Sequence, residues 1–302
     1  MKISVVIATY NGEKYFAEQM DSILEQSRIP DEIIIVDDCS ADGTCALLEN
    51  YSSGNESIHV FNNTRNQGWK KNFHHAIEKA SGDIIVLCDQ DDIWYKDKLA
   101  RVEAVFLQQN KVKLLASDFD ELISGKIRKK KRDKPLLRPV PLNSKLIHTY
   151  YPGCTYAFRR SLYETIKVIW NDDLPHDAQL GIAAKLMDSM YIYGIPLTVY
   201  RRHDNNATKR TLPSKQKKEG YIAAERGYVQ FADRLLDIAR DEIVDLDKKK
   251  AIITATAEYI NRREQLLKKA TPETMIKGLQ SVRCYYSPKT FIGDVFFGMK
   301  NK

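Results

Sequence analysis

Three carboxylates stand within four positions directly after an apolar run. Residues 84–88 (IIVLC) lead into Asp89, Asp91 and Asp92. Like charges this close repel one another unless a cation lies between them. Mg²⁺ or Mn²⁺ relieves the repulsion by binding carboxylate oxygens together with the phosphates of a substrate. The spacing therefore predicts a seat for a divalent metal and a diphosphate. The alternative is that Asp91 or Asp92 caps the helix that follows.

The hydrophobic pattern shows which elements would position these carboxylates. Over the first hundred residues, apolar runs alternate with segments of helical periodicity, at 3–8, 32–38, 58–61 and 83–88. Unbroken apolar runs are typical of strands buried on both faces, so the pattern predicts a parallel sheet of βαβ units. Ligands bind such sheets outside the carboxyl ends of the strands. Three polar clusters should therefore share one crevice: Thr9-Tyr10-Asn11, Asp37-Asp38 and the carboxylates at 89–92.

Composition and short motifs exclude several classes of protein. The 302 residues are 43% hydrophobic, which is enough for a full core. No GxGxxG or GxxxxGK[ST] follows the first strand, which excludes the usual dinucleotide and P-loop phosphate sites. The five cysteines lack CxxC spacing, which argues against a zinc site or a disulfide framework. The net charge of +7 is concentrated in a loop and a helical tail, without a recognisable module for reading nucleic acid. Without a signal peptide or a long apolar stretch, the chain is expected in the cytoplasm.

The second half of the chain has a mixed pattern. Strands are predicted at 112–119, 154–160 and 195–203, a basic loop at 125–134, and helices almost throughout from residue 215. The predicted fold is α/β, with a mixed, mainly parallel sheet flanked by helices and a helical C-terminal extension. We place the boundary between the two units after residue 212, which gives an α/β domain at 1–212 and the extension at 213–302.

Four motifs carry a resemblance to a known family. They occur in order within the first 100 residues: SVVIATYNGEKY, IIIVDDCSADGT, NQGWKKNFHHAIEKASGD and LCDQDDIW. Together they resemble the family 2 inverting glycosyltransferases of the GT-A fold. The version DQDDIW, followed later by PHDAQL and YRRHDNNAT, resembles more specifically the bacterial rhamnosyltransferases that build cell-wall or capsule polysaccharide.

The resemblance implies a nucleotide-sugar site at the strand ends. The nucleobase and ribose would be held by four residues: Thr9, Tyr10, Asn11 and Asp38. Asp38 would accept a hydrogen bond from the base, whereas Asp37 is a candidate cap for the next turn. Lys71 and Asn72 match positions near the nucleotide in the family, although a solvated helix face explains Lys71 equally well.

The resemblance also implies a DxD element for the metal. Asp91 would bind Mg²⁺ or Mn²⁺, and Asp89 would reach the ribose or the metal. Asp92 lies outside the pair, as a supporting residue or a cap. A third metal ligand or a diphosphate clamp would come from three residues after a strand: Arg201, Arg202 and His203. A purely structural histidine is the alternative for His203.

Inverting transfer needs a carboxylate that takes the proton of the acceptor hydroxyl as that hydroxyl attacks. The family supplies an Asp at a helix N-terminus, often after Glu, and here His176 and Asp177 match. We predict Asp177 as the general base. The alternatives are that Asp177 only caps its helix, or that Asp172 or Asp173 is the base. Three further residues would orient the base or shape the acceptor pocket: His176, Gly153 and Cys154.

The predicted activity is transfer of L-rhamnose from dTDP-β-L-rhamnose to a lipid-linked or polysaccharide acceptor of the cell envelope. The alternatives are a UDP-hexose donor and a non-catalytic nucleotide-sugar scaffold. The basic loop at 126–134 and the aromatic, basic C-terminus at 284–302 predict peripheral contact with the inner face of the cell membrane. Two alternatives for the C-terminal helices are packing on the core and contact between two copies in a homodimer.

Overall fold

The computed structural model describes residues 1–129, 136–143, 145–148, 151–203 and 214–300, which form one mixed sheet of ten strands flanked by helices. The first four strands are β1 (Ile3–Thr9), β2 (Glu32–Asp37), β3 (Ile58–Asn62) and β4 (Ile84–Asp89). The others are β5 (Ile93–Trp94), β6 (Leu114–Ile123), β7 (Lys126–Arg128), β8 (Leu137–Pro139), β9 (Tyr156–Arg159) and β10 (Met190–Arg202).

The order of the strands brings distant parts of the chain to one edge of the sheet. The order is β3-β2-β1-β4-β9-β6-β10-β5, with β7 paired to β6 and β8 to β10. Strands β1 to β4 are parallel, and β6 and β10 also pair in parallel. Strand β9 runs antiparallel between β4 and β6. Because an antiparallel strand begins where its parallel neighbour ends, the start of β9 lies beside the end of β4, at the edge where β1 and β2 also end.

Six helices cover the two faces of the sheet: α1 (Glu13–Leu24), α2 (Thr44–Ser52), α3 (Trp69–Lys79), α4 (Lys98–Gln108), α5 (Arg160–Ile166) and α6 (His176–Leu186). Alternate strand residues enter two separate cores, as the period of two requires. Ile7 and Val86 face the core formed with α1, α2 and α4. Val6 and Leu87 face the core formed with α3, α5 and α6. Both faces of β1 and β4 are therefore buried, which is why these strands are continuous apolar runs.

Four helices follow: α7 (Lys215–Ile238), α8 (Leu246–Lys268), α9 (Pro272–Gln280) and α10 (Pro288–Met299). Ile222 and Phe231 of α7 belong to the same buried cluster as Leu162 of α5 and Leu180 of α6. The residues around 212 lie outside the described ranges, so the division into two units stays a prediction. None of the helices in the described part of the chain is long and apolar enough to cross a membrane.

The predicted fold class is confirmed, and three details differ. The strand predicted at 195–203 is the second half of the longer β10, and residues 126–128 of the predicted basic loop pair with β6. Residues 130–134 of that loop lie outside the described ranges. Helix α4 begins at Lys98, with Asp97 at its N-cap position. Asp91 and Asp92 precede the helix by several residues, so the alternative that one of them caps it is wrong.

Candidate active site

The turns after β1 and β2 are fastened to each other by side chains. Thr9 Oγ1 donates to Asp37 Oδ1 at 2.9 Å, and Asp37 Oδ2 accepts from the Ser40 amide at 2.8 Å. Asn11 has a positive φ of 47°, and its Oδ1 accepts from the Ala41 amide at 2.9 Å. Asp37 therefore stabilises the turn that follows it, as expected for a capping residue. The exposed ring of Tyr10 lies at the rim of the crevice.

Gln90, which sequence reasoning missed, holds the Tyr10 backbone from the neighbouring strand. Its Oε1 accepts from the Tyr10 amide at 2.8 Å, and its Nε2 donates to the Tyr10 carbonyl at 3.1 Å. A Cβ at Gly12 would lie 2.5 Å from Gln90 Oε1, so a larger residue there would push the end of the Gln90 side chain away from Tyr10. The only sequence signal was the position of Gln90 inside the DQD motif.

Asp38 and Asn72 are both buried and both bind the loop that precedes α3. The Asp38 carboxylate accepts from the amides of Gln67 and Gly68 at 2.9 and 2.8 Å. Asn63 Nδ2 donates to both Asp38 and Asn72 at 2.9 Å. The structure thus gives these residues a role in shaping the edge of the crevice, and their contact with a nucleobase stays a prediction. Lys71 lies on the exposed face of α3.

The carboxylates after β4 divide into two groups. Ligand atoms of Asp89, Asp92 and the Cys154 thiol lie within 4.8 Å of one another. Asp92 is fully buried. Its Oδ1 accepts from the Arg201 amide at 2.9 Å, and its Oδ2 has no hydrogen-bond partner among the described residues. Burial and the charges of its neighbours, Asp92 first, raise the pKa of Asp89 well above its usual range. Burial and the Asp91 charge raise the pKa of Asp92 to about 7.

Asp91 faces a different partner. His203 Nε2 lies 2.6 Å from Asp91 Oδ2, and Arg201 Nε donates to the Asp91 carbonyl at 2.7 Å. The Arg201 guanidinium also lies 4.7 Å from the ring of Tyr15. The structure therefore brings Asp91, Arg201 and His203 together. Arg202 forms an ion pair with Glu121 at 2.9 Å instead.

A buried lysine, also missed from the sequence, lies beside the Asp89 group. Lys98 Nζ donates to Thr198 Oγ1 at 2.9 Å and to the Cys154 carbonyl at 3.2 Å. Burial lowers its pKa to about 8, against the opposing effect of the nearby acidic groups. Its ammonium group partly offsets the negative charge of Asp89 and Asp92. No sequence pattern distinguishes this lysine from Arg101, the other cation of α4, because its burial depends on β10.

Asp177 lies in the first turn of α6, where Pro175 is at the N-cap position. Its Oδ1 accepts from the amide of the next residue, Ala178, at 2.8 Å. Burial raises the pKa of Asp177 to about 6. A Cβ at Gly153 would lie 3.2 Å from the Asp177 Cβ. Gly153 directly precedes Cys154, whose thiol lies beside Asp89 and Asp92. Asp177 and these two carboxylates therefore lie on the same edge of the sheet.

His176 is an unusual neighbour for this carboxylate. Its ring lies 4.1 Å from the ring of Phe73 and 5.8 Å from that of Trp69. Neither ring nitrogen has a hydrogen-bond partner among the described residues. Burial lowers the pKa of His176 to about 3, so the ring is neutral at physiological pH. The neutral ring of His176 therefore brings no positive charge to the neighbouring Asp177.

The two alternative bases take part in contacts between α3 and the loop before α6. Asp172 Oδ1 lies 2.7 Å from His74 Nδ1. The Asp173 carbonyl accepts from Lys70 Nζ at 2.5 Å. These two contacts hold the loop against α3. Of the three candidate bases, Asp177 is the one that lies next to Gly153.

Comparison with known proteins agrees with this architecture. The family model for glycosyl transferase family 2 matches residues 4–167, and the chain belongs to this family of glycosyltransferases. Among its relatives is the dTDP-rhamnosyl transferase RfbG of Shigella flexneri, which is 33% identical over 229 residues. That match covers 70% of this chain and 76% of the relative.

A second relative matches this chain both in sequence and in its solved structure. The poly(ribitol-phosphate) beta-N-acetylglucosaminyltransferase TarS of Staphylococcus aureus is 24% identical over 87% of this chain and 44% of its own length. The structure of TarS residues 1–349 with UDP-GlcNAc matches with a TM-score of 0.66 at 21% identity, covering 98% of this chain and 82% of that one. This likeness confirms the GT-A type of fold. Matches to some other curated relatives span only 39% or 40% of the relative.

Proposed function

We propose that the protein is an inverting glycosyltransferase that moves L-rhamnose from dTDP-β-L-rhamnose to a lipid-linked or polysaccharide acceptor in cell-envelope glycan synthesis. The proposal rests on the position of Asp177 close to the carboxylates after β4. The Gly153-Cys154 turn links them, because Gly153 lies against Asp177 and Cys154 lies beside the carboxylates. One side of this crevice suits a diphosphate leaving group, and the other holds a carboxylate for the attacking hydroxyl.

The choice of donor follows from the relatives. RfbG, which is named as a dTDP-rhamnosyl transferase, aligns along most of both chains. A UDP-hexose is the second candidate, because the TarS structure of similar fold contains UDP-GlcNAc. Both donors present a nucleoside diphosphate to the same strand ends. Acceptors linked to lipid would place the reaction at the inner face of the cell membrane.

The residues after β4 fit a divalent cation. Asp92 Oδ2 is buried without a hydrogen-bond partner among the described residues, and Asp89 is held close to it. Carboxylate oxygens suit Mg²⁺ or Mn²⁺. We assign Asp89 and Asp91 as ligands with His203 beside them, and the structure adds Asp92 as a candidate. The Cys154 thiol lies in the same group, but burial raises its pKa and a protonated thiol does not suit these cations. When bound, the cation would stabilise the charge of the departing diphosphate.

Asp177 supplies the general base in this proposal. Ionised Asp177 accepts the proton of the acceptor hydroxyl as the oxygen attacks the anomeric carbon, opposite the departing diphosphate, so one bond forms as the other breaks. Neutral His176 packs against Phe73 and keeps Asp177 on the side of Gly153. The half-exposed indole of Trp69 beside His176 offers a surface on which an acceptor sugar can lie.

The proposal is tested by calorimetric titration of the purified protein with dTDP-rhamnose, UDP-GlcNAc and UDP-glucose, first with Mn²⁺ and then with EDTA. We expect dTDP-rhamnose to bind most tightly, and its affinity to collapse when the metal is removed. Selective binding of a UDP-sugar would contradict dTDP-rhamnose as the donor, but the proposed type of reaction would still stand. Binding of no nucleotide sugar would contradict the proposed function itself. A scaffold is distinguished by donor binding without any turnover of donor.

A further inference from the structure

Buried polar contacts determine which side of helix α10 faces the interior of the protein. Asp294 is fully buried, and its carboxylate accepts from Lys218 Nζ at 2.5 Å and from Arg263 Nε at 2.7 Å. A Cβ at Gly298 would lie 2.0 Å from the Leu266 carbonyl, so this position lies directly against α8. Asp294 and Gly298 are four residues apart, on one side of the helix. The inner side of α10 is therefore the side with a carboxylate and a glycine.

This rotation turns an apolar stripe outward. Ile292, Phe296 and Met299 are spaced by four and three residues and remain 63%, 50% and 60% exposed. An amphipathic helix of a monomeric protein usually buries such a stripe and exposes its acidic residues. In α10 the stripe stays exposed although Phe291 and Phe297 already pack against the core, and the ion pairs of Asp294 fix the helix in this rotation.

The elements before α10 also expose large apolar side chains. Helix α9 and the segment after it expose four more large apolar side chains: Ile276, Leu279, Val282 and Tyr286. A Cβ at Gly278 would lie 2.9 Å from the Phe291 ring, so α9 and α10 are in direct contact. We call these four residues, together with Ile292, Phe296 and Met299, the C-terminal apolar surface. Contiguous exposed patches of this kind mark sites of interaction.

The charges around this surface are positive. Within 272–300 there are four cations, Lys277, Arg283, Lys289 and Lys300, and two acids. Both acids have internal partners, because Glu273 pairs with Lys277 at 2.6 Å and Asp294 is buried in its ion pairs. A two-fold dimer through this surface would bring like charges together. An anionic lipid surface would instead accept the aromatic and aliphatic side chains and attract the lysines.

We propose that the C-terminal apolar surface docks the protein on an anionic membrane surface, with Ile292, Phe296 and Met299 entering the interface and Lys289 and Lys300 facing the lipid headgroups. The docking does not require the donor assigned above. It would bring the enzyme to the membrane that holds lipid-linked acceptors.

The test is co-sedimentation of the full-length protein with phosphatidylcholine vesicles, with and without phosphatidylglycerol. We expect binding only to the anionic vesicles, weakened by salt. The variant Ile292→Ser/Phe296→Ser should bind about tenfold or more weakly, because two inserted apolar side chains are lost. The variant Lys289→Glu/Lys300→Glu should also lose roughly tenfold or more. All the altered side chains are exposed, so the variants should fold, and circular dichroism checks this.

Two matched controls give the same chemical change elsewhere. Leu107→Ser/Val168→Ser removes two side chains that are 63% and 68% exposed outside the surface, and Lys248→Glu/Lys250→Glu makes the same change in charge on α8. Both controls should bind like the original protein. Equal binding of all variants, or no binding by the original protein, would overturn the proposal. So would a dimer in sedimentation velocity that Ile292→Ser/Phe296→Ser converts to a monomer, which would assign the surface to a second copy. Calorimetric donor binding without vesicles reports separately on the proposed function.

Discussion

Asp177 has the properties that a general base needs at neutral pH. Burial raises its pKa to about 6, so at pH 7 the group is mostly ionised yet basic enough to accept a proton. Three other titratable groups lie close enough to interact with its charge: Asp89, Tyr156 and Tyr228. His176 carries no charge in this range, because burial lowers its pKa to about 3.

The raised pKa of Asp177 predicts how the reaction depends on pH. As the pH falls through about 6, Asp177 takes up a proton and can no longer accept one, so kcat/KM should fall about tenfold per pH unit below that value. Asp177→Asn should lower kcat by about 10²- to 10⁴-fold at pH 7 while donor affinity in calorimetry is unchanged. An unchanged turnover in this variant would remove Asp177 from the mechanism.

Single side chains also show the limit of prediction from sequence. The types and spacing of Asp89, Asp91 and Asp92 were enough to predict a cluster at a strand end, because strand ends of parallel sheets meet. Which carboxylate faces which partner was not predictable. It depends on residues more than 60 positions away: Cys154 lies beside Asp89 and Asp92, and His203 beside Asp91.

At the scale of elements, the short turn before β9 fits closely against the N-terminus of α6. A Cβ at Gly153 would lie 2.6 Å from His176 Nε2, a distance that real contacts do not allow. The turn and the helix are thus in contact through a position that has room only for hydrogen. This contact places Asp177 relative to the carboxylates after β4.

We predict that Gly153→Ala displaces the start of α6. The variant should lose about 1–3 kcal/mol of unfolding free energy in urea titration, the usual effect of overpacking, and kcat should fall with it. Gly220→Ala is the control: a Cβ at Gly220 meets nothing within 4 Å. In the interior of α7, alanine should stabilise the protein by about 0.5–1 kcal/mol. A Gly153→Ala variant with full stability and activity would show that the turn adapts.

Elements differ in how well the sequence predicts them, for physical reasons. Strands β1, β2 and β4 are buried on both faces, so their apolar runs are continuous and easily recognised. Strand β10 was predicted too short, because its first half contains Tyr191, Tyr193 and Gly194, which break the apolar run. Strand β5 has two residues and depends on pairing with β10, so no local pattern indicates it.

At the scale of the whole molecule, a buried ion network joins three C-terminal helices. Arg263 of α8 pairs with Asp294 of α10 and, at 2.5 Å, with Glu225 of α7. Lys218 of α7 also pairs with Asp294. Burial raises the pKa of Glu225, and the neighbouring Arg263 opposes that rise. Because α7 also enters the core beside α5 and α6, the network connects the C-terminus to the body of the protein.

We predict that Asp294→Asn destabilises the protein by about 3–5 kcal/mol in urea titration, because Lys218 and Arg263 would then remain buried with less compensating charge. Glu273→Gln, which breaks the exposed pair with Lys277, is the control and should leave the urea midpoint unchanged. Equal midpoints for the two variants would mean that water reaches the network and replaces the lost partner. The network could not be predicted, because the two partners of each ion pair lie more than 30 residues apart, on helices with ordinary charge patterns.

The central position of β9 has a consequence for how the protein is made. On the ribosome, β4 and β6 are complete long before residues 156–159 emerge, and until then each has an unpaired edge facing the place of the missing strand. Exposed strand edges are sites of aggregation. The Gly153-Cys154 turn arrives with the same segment, so a nascent chain that stops before it has neither a closed sheet nor a complete active site. Synthesis of this short strand is therefore needed before β4 and β6 can join one sheet, and Asp177 and β10, which follow it in the chain, complete the site afterwards.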